Sequence, residues 1–199
     1  MTVNAQLATR QILLARHGQT QWNLEGRRQG QLDSPLTHQG MLDARTIAAQ
    51  AARFPVNAII ASPLGRTRQT AQIIGDIIGI RVEYLDDLRE VDHGTFAGLT
   101  NGELDARYPT WRTERTADLY HWRFPGGESY ADAHRRAHRA LSSRPVAAAS
   151  CPLIITHEMI ARMIVAILQQ LDVDEAFARN LPHGHLLVFD WPQKSSTRS

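Results

Sequence analysis

The stretch from Gln11 to Asn23, QILLARHGQTQWN, constrains the chain more than any other. Ile12, Leu13, Leu14 and Ala15 have the length and apolarity of a short buried strand, and the run stops at Arg16-His17-Gly18. A permanent cation, a titratable imidazole and a residue free to take any backbone angle stand there side by side. In open α/β sheets, ligands sit at the carboxyl ends of strands, so these three residues are placed for chemistry. A guanidinium offers a planar fork for two phosphate oxygens, and a neutral imidazole, with an ordinary pKa of about 6.5, is a competent nucleophile. The pairing suggests phosphoryl transfer through histidine.

The remaining chain alternates strands and helices. After a polar, glycine-containing loop over 20–35 that could fold over an anion, Thr37 reads as the N-cap of a helix closed by Pro55. Val56 to Ser62 reads as a second strand, followed from Pro63 by a helix to about Ile78 with Gly79 as its stop. Arg66 falls in the first turn of that helix, where a cation meets the positive end of the dipole and a bound phosphate would relieve the conflict. Arg81 to Leu85 predicts a third strand, and Thr100 to Glu103 a capping box opening a short helix to about Tyr108. Ser129 predicts the cap of a helix to about Ala148, PLIITHE a fourth strand ending at His157, MIARMIVAILQQL an apolar helix, and His185 to Trp191 a last strand. This order predicts a three-layer αβα sandwich with a mostly parallel central sheet. One domain over 1–199 is expected, with a lid-like insertion at about 91–128, rich in aromatic residues and arginine, and a disordered tail at about 193–199.

Composition narrows the partners. A chain of 199 residues with 43% hydrophobic and 21% charged residues is an ordinary single-core protein. Its net charge of +2, without basic runs interleaved with aromatics, argues against nucleic acid and suits a small anionic substrate. The opening residues lack the pattern of a signal peptide, and no run approaches ~20 apolar residues, so no membrane partner is expected and the cytoplasm is the expected compartment. The lone Cys151, in an apolar run, reads as a buried small side chain. His134 and His138 stand at i and i+4 among arginines without the glutamate of a metalloprotease, and read as surface residues. No metal-ligand cluster stands out, so neither a metal nor another cofactor is expected. Nothing in these features encodes the oligomeric state.

Taken together, Arg16-His17-Gly18, Thr20, Trp22 and Asn23, then DSPLTHQG (33–40), SPLGRTRQTA (62–71), Glu90 within LREVDHGTFAGLT, PGGES (125–129) and THE (156–158) resemble the histidine phosphatase superfamily, also called phosphoglycerate mutase-like. The matches follow the family's order over nearly the whole chain. The resemblance implies a phosphomonoesterase in which His17 becomes a phosphohistidine that water hydrolyses. It assigns Arg16, Arg66 and His157 to the phosphate pocket, His157 as a protonated second histidine, and Asn23 to a further contact. Glu90 matches the acid that protonates the leaving group, its pKa raised by a facing dianion. Two positions depart from the commoner pattern: Phe96-Ala97 replaces a tryptophan and an acidic residue, and Glu158 replaces a glycine, as in the branch with an acidic donor there. Glu158 is therefore a rival acid. Two other functions stay open. A phosphoglycerate mutase would need a second cationic subsite, for which Arg112, Arg115 and Arg123 are candidates, although the chain is shorter than typical mutases of the family and lacks their basic insertion. A silent phospho-ligand-binding module would keep the site and lose the chemistry.

Overall fold

In a computed structural model, which describes residues 10–191, five strands form one sheet. They are β1 (Arg10–Arg16), β2 (Ala58–Ala61), β3 (Val82–Tyr84), β4 (Pro152–Thr156) and β5 (Leu186–Trp191), in the order β3-β2-β4-β1-β5. All neighbours are parallel except β5, which runs antiparallel to β1. The expected tail at 193–199 lies outside the described residues.

Alternation along the strands divides the core in two. Ile12 and Leu14 of β1 join Ile60 and Ile154 on one face, whereas Leu13 and Ala15 join Ile59, Leu153 and Ile155 on the other. Each such fully buried aliphatic side chain contributes at most about 1.5–3 kcal/mol. Helices α1 (Gln21–Leu24), α2 (His38–Ala51) and α3 (Gly65–Ile78) come first, and α2 and α3 cover the second face with Ala44, Ile47, Ala48 and Ile74. Then follow α4 (Asn101–Arg107), α5 (Trp111–Ala117), α6 (Tyr130–Ser142), α7 (Arg144–Ala148), α8 (Glu158–Gln169) and α9 (Val173–Ala178). Helices α6 and α8 cover the first face with Ala133, Ala137, Ile160 and Ile164. The three layers expected from the sequence are present.

Local differences have local causes. The loop over 20–35 contains α1, because Thr20 and Asn23 form a reciprocal capping box. The helix expected over 129–148 breaks at Ser143, since Pro145 has no N–H to offer the carbonyl one turn back. Helix α9 was not foreseen, although Asp172 and Glu175 form its capping box. Between 91 and 128, Phe96, Trp111 and Phe124 are buried in the same cluster as Ile12 and Ile154, so this stretch shares the main core. No described helix is long and apolar enough to cross a membrane.

Gly18 is needed for space, not for the backbone freedom expected of it. Its φ is not positive, but an added Cβ would stand 2.1 Å from the carbonyl oxygen of Gly40. Gly40 is equally confined, its Cβ position 2.0 Å from the Gln19 oxygen. The two glycines let the first turn of α2 press against the backbone that follows His17.

Candidate active site

Parallel register creates the site. Arg16 pairs with Thr156, so His17 and His157 each follow a strand end at the same level, and the His17 N–H donates to the Thr156 oxygen at 2.9 Å. Their rings meet edge to face, 5.3 Å between centroids. His17 Nδ1 lies 2.7 Å from the Gly18 carbonyl oxygen, which can only accept, so this nitrogen carries the ring proton. Nε2 then holds the lone pair and accepts from Arg66 Nε at 3.3 Å. Burial, reinforced by Arg66 and Arg16, holds the His17 pKa well below the usual imidazole value. The imidazole is therefore neutral and oriented at neutral pH.

Arg66 is almost fully buried and strongly engaged. Its Nη1 donates to the Leu32 oxygen at 2.7 Å and to Asp33 Oδ1 at 3.0 Å, and its Nη2 to the Gly30 oxygen at 2.8 Å. Asp33 also accepts from the backbone N–H groups of Gly65 at 2.6 Å and Arg66 at 3.2 Å. The anion at the start of α3 is thus the chain's own carboxylate, which corrects the expectation that a bound phosphate answers the dipole there. Arg16 is paired in a similar way, with Glu158 3.0 Å from its Nη1, and Glu158 also binds Arg162 at 2.6 Å.

Glu90 accepts from the Val91 N–H at 2.9 Å and from Met159 N–H, at the start of α8, at 3.4 Å. These bonds and the nearby Arg66 and Arg16 favour the carboxylate, yet burial outweighs them and raises the Glu90 pKa. Burial thus raises the Glu90 pKa already in the protein without a bound dianion. Arg136 secures the segment: it binds both Glu128 oxygens and donates to the carbonyls of Asp87, Arg89 and Glu90. The glutamate of PGGES is thereby accounted for.

His157 is fully buried beside His17, with Nε2 2.8 Å from Ser62 Oγ and no partner for Nδ1. Burial, with Arg66, His17 and Arg16 close by, pushes its pKa well below the usual value. Without a bound anion the ring is therefore neutral, and a neutral ring can still donate one hydrogen bond. Asn23, which lines the pocket, spends Oδ1 on the Thr20 N–H and hydroxyl.

The cavity measures about 280 Å³. Of the residues singled out in the sequence, Arg16, His17, Asn23, Arg66, Glu90 and Glu158 line it and His157 does not. Arg115 also lines it, but Arg112 and Arg123 turn to Asp105 and Asp132. Sequence reasoning missed Arg28, Gln29, His93 and Tyr130 on its wall, and His183, whose Nδ1 lies 2.6 Å from the His17 carbonyl oxygen. The signals were present but faint: polar residues beside the glycines Gly30, Gly94 and Gly184, all at positive φ. Among the described residues, no group of three His, Cys, Asp or Glu side chains is arranged to hold a metal ion.

A model of the histidine phosphatase superfamily (branch 1) matches residues 12–197. The probable phosphoglycerate mutase GpmB of Salmonella choleraesuis is 38% identical over 148 residues, 74% of this chain and 69% of the relative. Among solved structures, mycobacterial glucosyl-3-phosphoglycerate phosphatase complexed with VO3 superposes with a TM-score of 0.78 at 27% identity, covering 90% of each chain. The alpha-ribazole phosphatase of Shigella flexneri superposes with a TM-score of 0.85 over 92% of this chain and 91% of its own, at 21% identity, and so shares the fold.

Proposed function

The chain belongs to the histidine phosphatase superfamily, and on that premise we propose that it hydrolyses a small phosphorylated metabolite through a phosphohistidine on His17, without a metal. The observation that carries the reading is the His17 ring itself, with its proton fixed on Nδ1 by the Gly18 oxygen at 2.7 Å and its free Nε2 beside Arg66 Nε at 3.3 Å. Nε2 attacks phosphorus in line, the bond to the leaving oxygen breaks, and Glu90 gives that oxygen its proton. Arg16, Arg66 and Asn23 hold the equatorial oxygens from the cavity wall, and His157, its ring beside that of His17, offers its unpartnered Nδ1 as a further contact. Water then attacks the phosphohistidine, returning a proton to Glu90 and releasing inorganic phosphate. Glu90 is preferred to Glu158 as the acid because burial raises its pKa, whereas Glu158 is clasped between Arg16 and Arg162. The whole of 1–199 acts as one domain in the cytoplasm, with 91–128 supplying one wall of the pocket.

The name of the Salmonella relative favours a second reading, phosphoglycerate mutase, which uses the same phosphohistidine. One experiment separates the two. Para-nitrophenyl phosphate is assayed with excess EDTA for wild type and His17→Ala, and an alkaline-quenched sample is analysed for phosphohistidine. Hydrolysis that survives the chelator and vanishes with His17 is expected. Phosphohistidine without hydrolysis, together with bisphosphoglycerate-dependent mutase turnover, would replace this reading with the second.

A further inference from the structure

The reacting end of the cavity balances its own charge; another part of the wall does not. Arg28 and Arg115 both line the cavity, yet neither has a carboxylate partner among the described residues. Arg28 Nη2 donates to the amide oxygen of Asn101 at 3.0 Å, and Arg115 Nη2 to the hydroxyl of Tyr130 at 2.9 Å. The Nε of each is buried without an acceptor. Their planes rest on aromatic rings, Arg28 5.1 Å from Trp111 and Arg115 5.6 Å from Tyr130. Stacking fixes the planes but leaves the charge unanswered.

His93 lines the same cavity as these arginines. Its neighbours in charge are Arg28, Arg115 and Arg66, and burial among them pushes its pKa down to about 3. Only 8% exposed, it nonetheless lines the cavity, and neither ring nitrogen has a partner. Packing on Phe124, 4.5 Å between centroids, explains where the ring lies but not why two polar atoms are buried unpaired. An unpaired buried polar group carries a desolvation cost that a ligand can relieve.

We infer that the substrate is doubly anionic, carrying on its leaving group a second anion, carboxylate or phosphate, that binds Arg28 and Arg115 with His93 as a neutral hydrogen-bonding partner. This rests on the phosphomonoesterase reading and narrows its substrate class. Two adjacent arginines without a counter-ion repel each other, and a ligand anion removes that repulsion. A cavity of about 280 Å³ admits a phosphoryl group, a few carbons and one further anion.

The test compares kcat/KM within pairs that differ only in the second anion. One pair is 3-phosphoglycerate and glycerol 3-phosphate; the other is propane-1,3-diol bisphosphate and its monophosphate. Wild type should prefer the doubly anionic member of at least one pair by about tenfold or more, as expected for one charge-assisted contact. The pair that responds identifies carboxylate or phosphate. Arg28→Gln and Arg115→Gln should each bring the ratio towards one. A ratio is independent of the amount of folded enzyme, so a variant that folds poorly still reports. Wild-type ratios within twofold of one, or ratios unchanged in both variants, would overturn the inference. If even para-nitrophenyl phosphate is not hydrolysed, the enzymatic reading fails separately, and calorimetric binding of the same pairs to wild type decides. Tighter binding of a doubly anionic member supports the subsite, and equal binding overturns it.

Discussion

At the reacting end of the cavity each cation has a carboxylate of the chain's own, Asp33 for Arg66 and Glu158 for Arg16, both at 3.0 Å. Along the wall formed by Arg28, His93 and Arg115 none does among the described residues. The difference separates two tasks. On the proposed reaction, paired cations at the reacting end would be held in one geometry and grip free phosphate only moderately, which suits a group that must be transferred and then released. Unpaired cations farther along would, on the inference above, bind a part of the substrate that does not react, and that binding could be spent on orienting the part that does.

The largest effect should come from the reacting end. Replacing the nucleophile in His17→Ala should lower kcat on any phosphomonoester by about 10⁴-fold or more and abolish phosphohistidine. The next effect is that of the acid. Glu90→Gln should slow alkyl phosphates by about 10²- to 10³-fold and para-nitrophenyl phosphate far less, because a good leaving group needs little protonation. Its pH profile follows from the two shifts. His17 must be neutral, and its lowered pKa keeps it so below pH 6.5, so the acid limb of kcat/KM should lie below that value. Glu90 must be protonated, and its raised pKa sets an alkaline limb above the usual carboxylate range, which Glu90→Gln should remove. An alkaline limb unchanged in that variant would assign the proton to another group.

A smaller effect tests whether the acid is positioned from behind. Arg136 donates to the carbonyls of Asp87, Arg89 and Glu90 itself without lining the cavity. Arg136→Met should lower kcat on alkyl phosphates by about tenfold with KM little changed, sparing para-nitrophenyl phosphate as Glu90→Gln does. A merely structural role would lower both substrates alike.

The two ends of the cavity were unequally legible in the sequence. His17 and Arg66 sit in dense local motifs, where a strand end and a helix start each carry a physical signal within a few residues, whereas Glu90, in an acidic segment with Asp86, Asp87 and Asp92, stands out only through the family resemblance. The alternation of strands and helices was equally local, and it gave the sheet. The second wall is assembled from separated segments, with Arg28 before Gly30, His93 after Glu90, Arg115 in α5 and Tyr130 at the start of α6. None of these carries a signal alone: an arginine among 22 basic residues or one of nine histidines is unremarkable until folding removes its partners. Asp33 shows the same limit, since nothing in DSPLTHQG announces that its aspartate would occupy the anion site at the start of α3.

The smallest effect bears most directly on the contrast. Glu158→Gln removes the carboxylate that answers Arg16, making that arginine resemble Arg28 and Arg115. Two changes then act in one direction: Arg16 loses a competitor for the phosphoryl oxygens, and a negative charge leaves the pocket wall. Inhibition by inorganic phosphate should tighten by about two- to fivefold, as for a partly exposed ion pair worth up to ~1 kcal/mol, and product release should slow accordingly. The effect should shrink in high salt. The opposite pattern, a hundredfold loss on alkyl phosphates with para-nitrophenyl phosphate spared, would make Glu158 the acid and leave Glu90 a buried structural carboxyl. Unchanged inhibition would mean that pairing at the reacting end does not set its affinity, and the division of labour between the two ends would lose its physical basis.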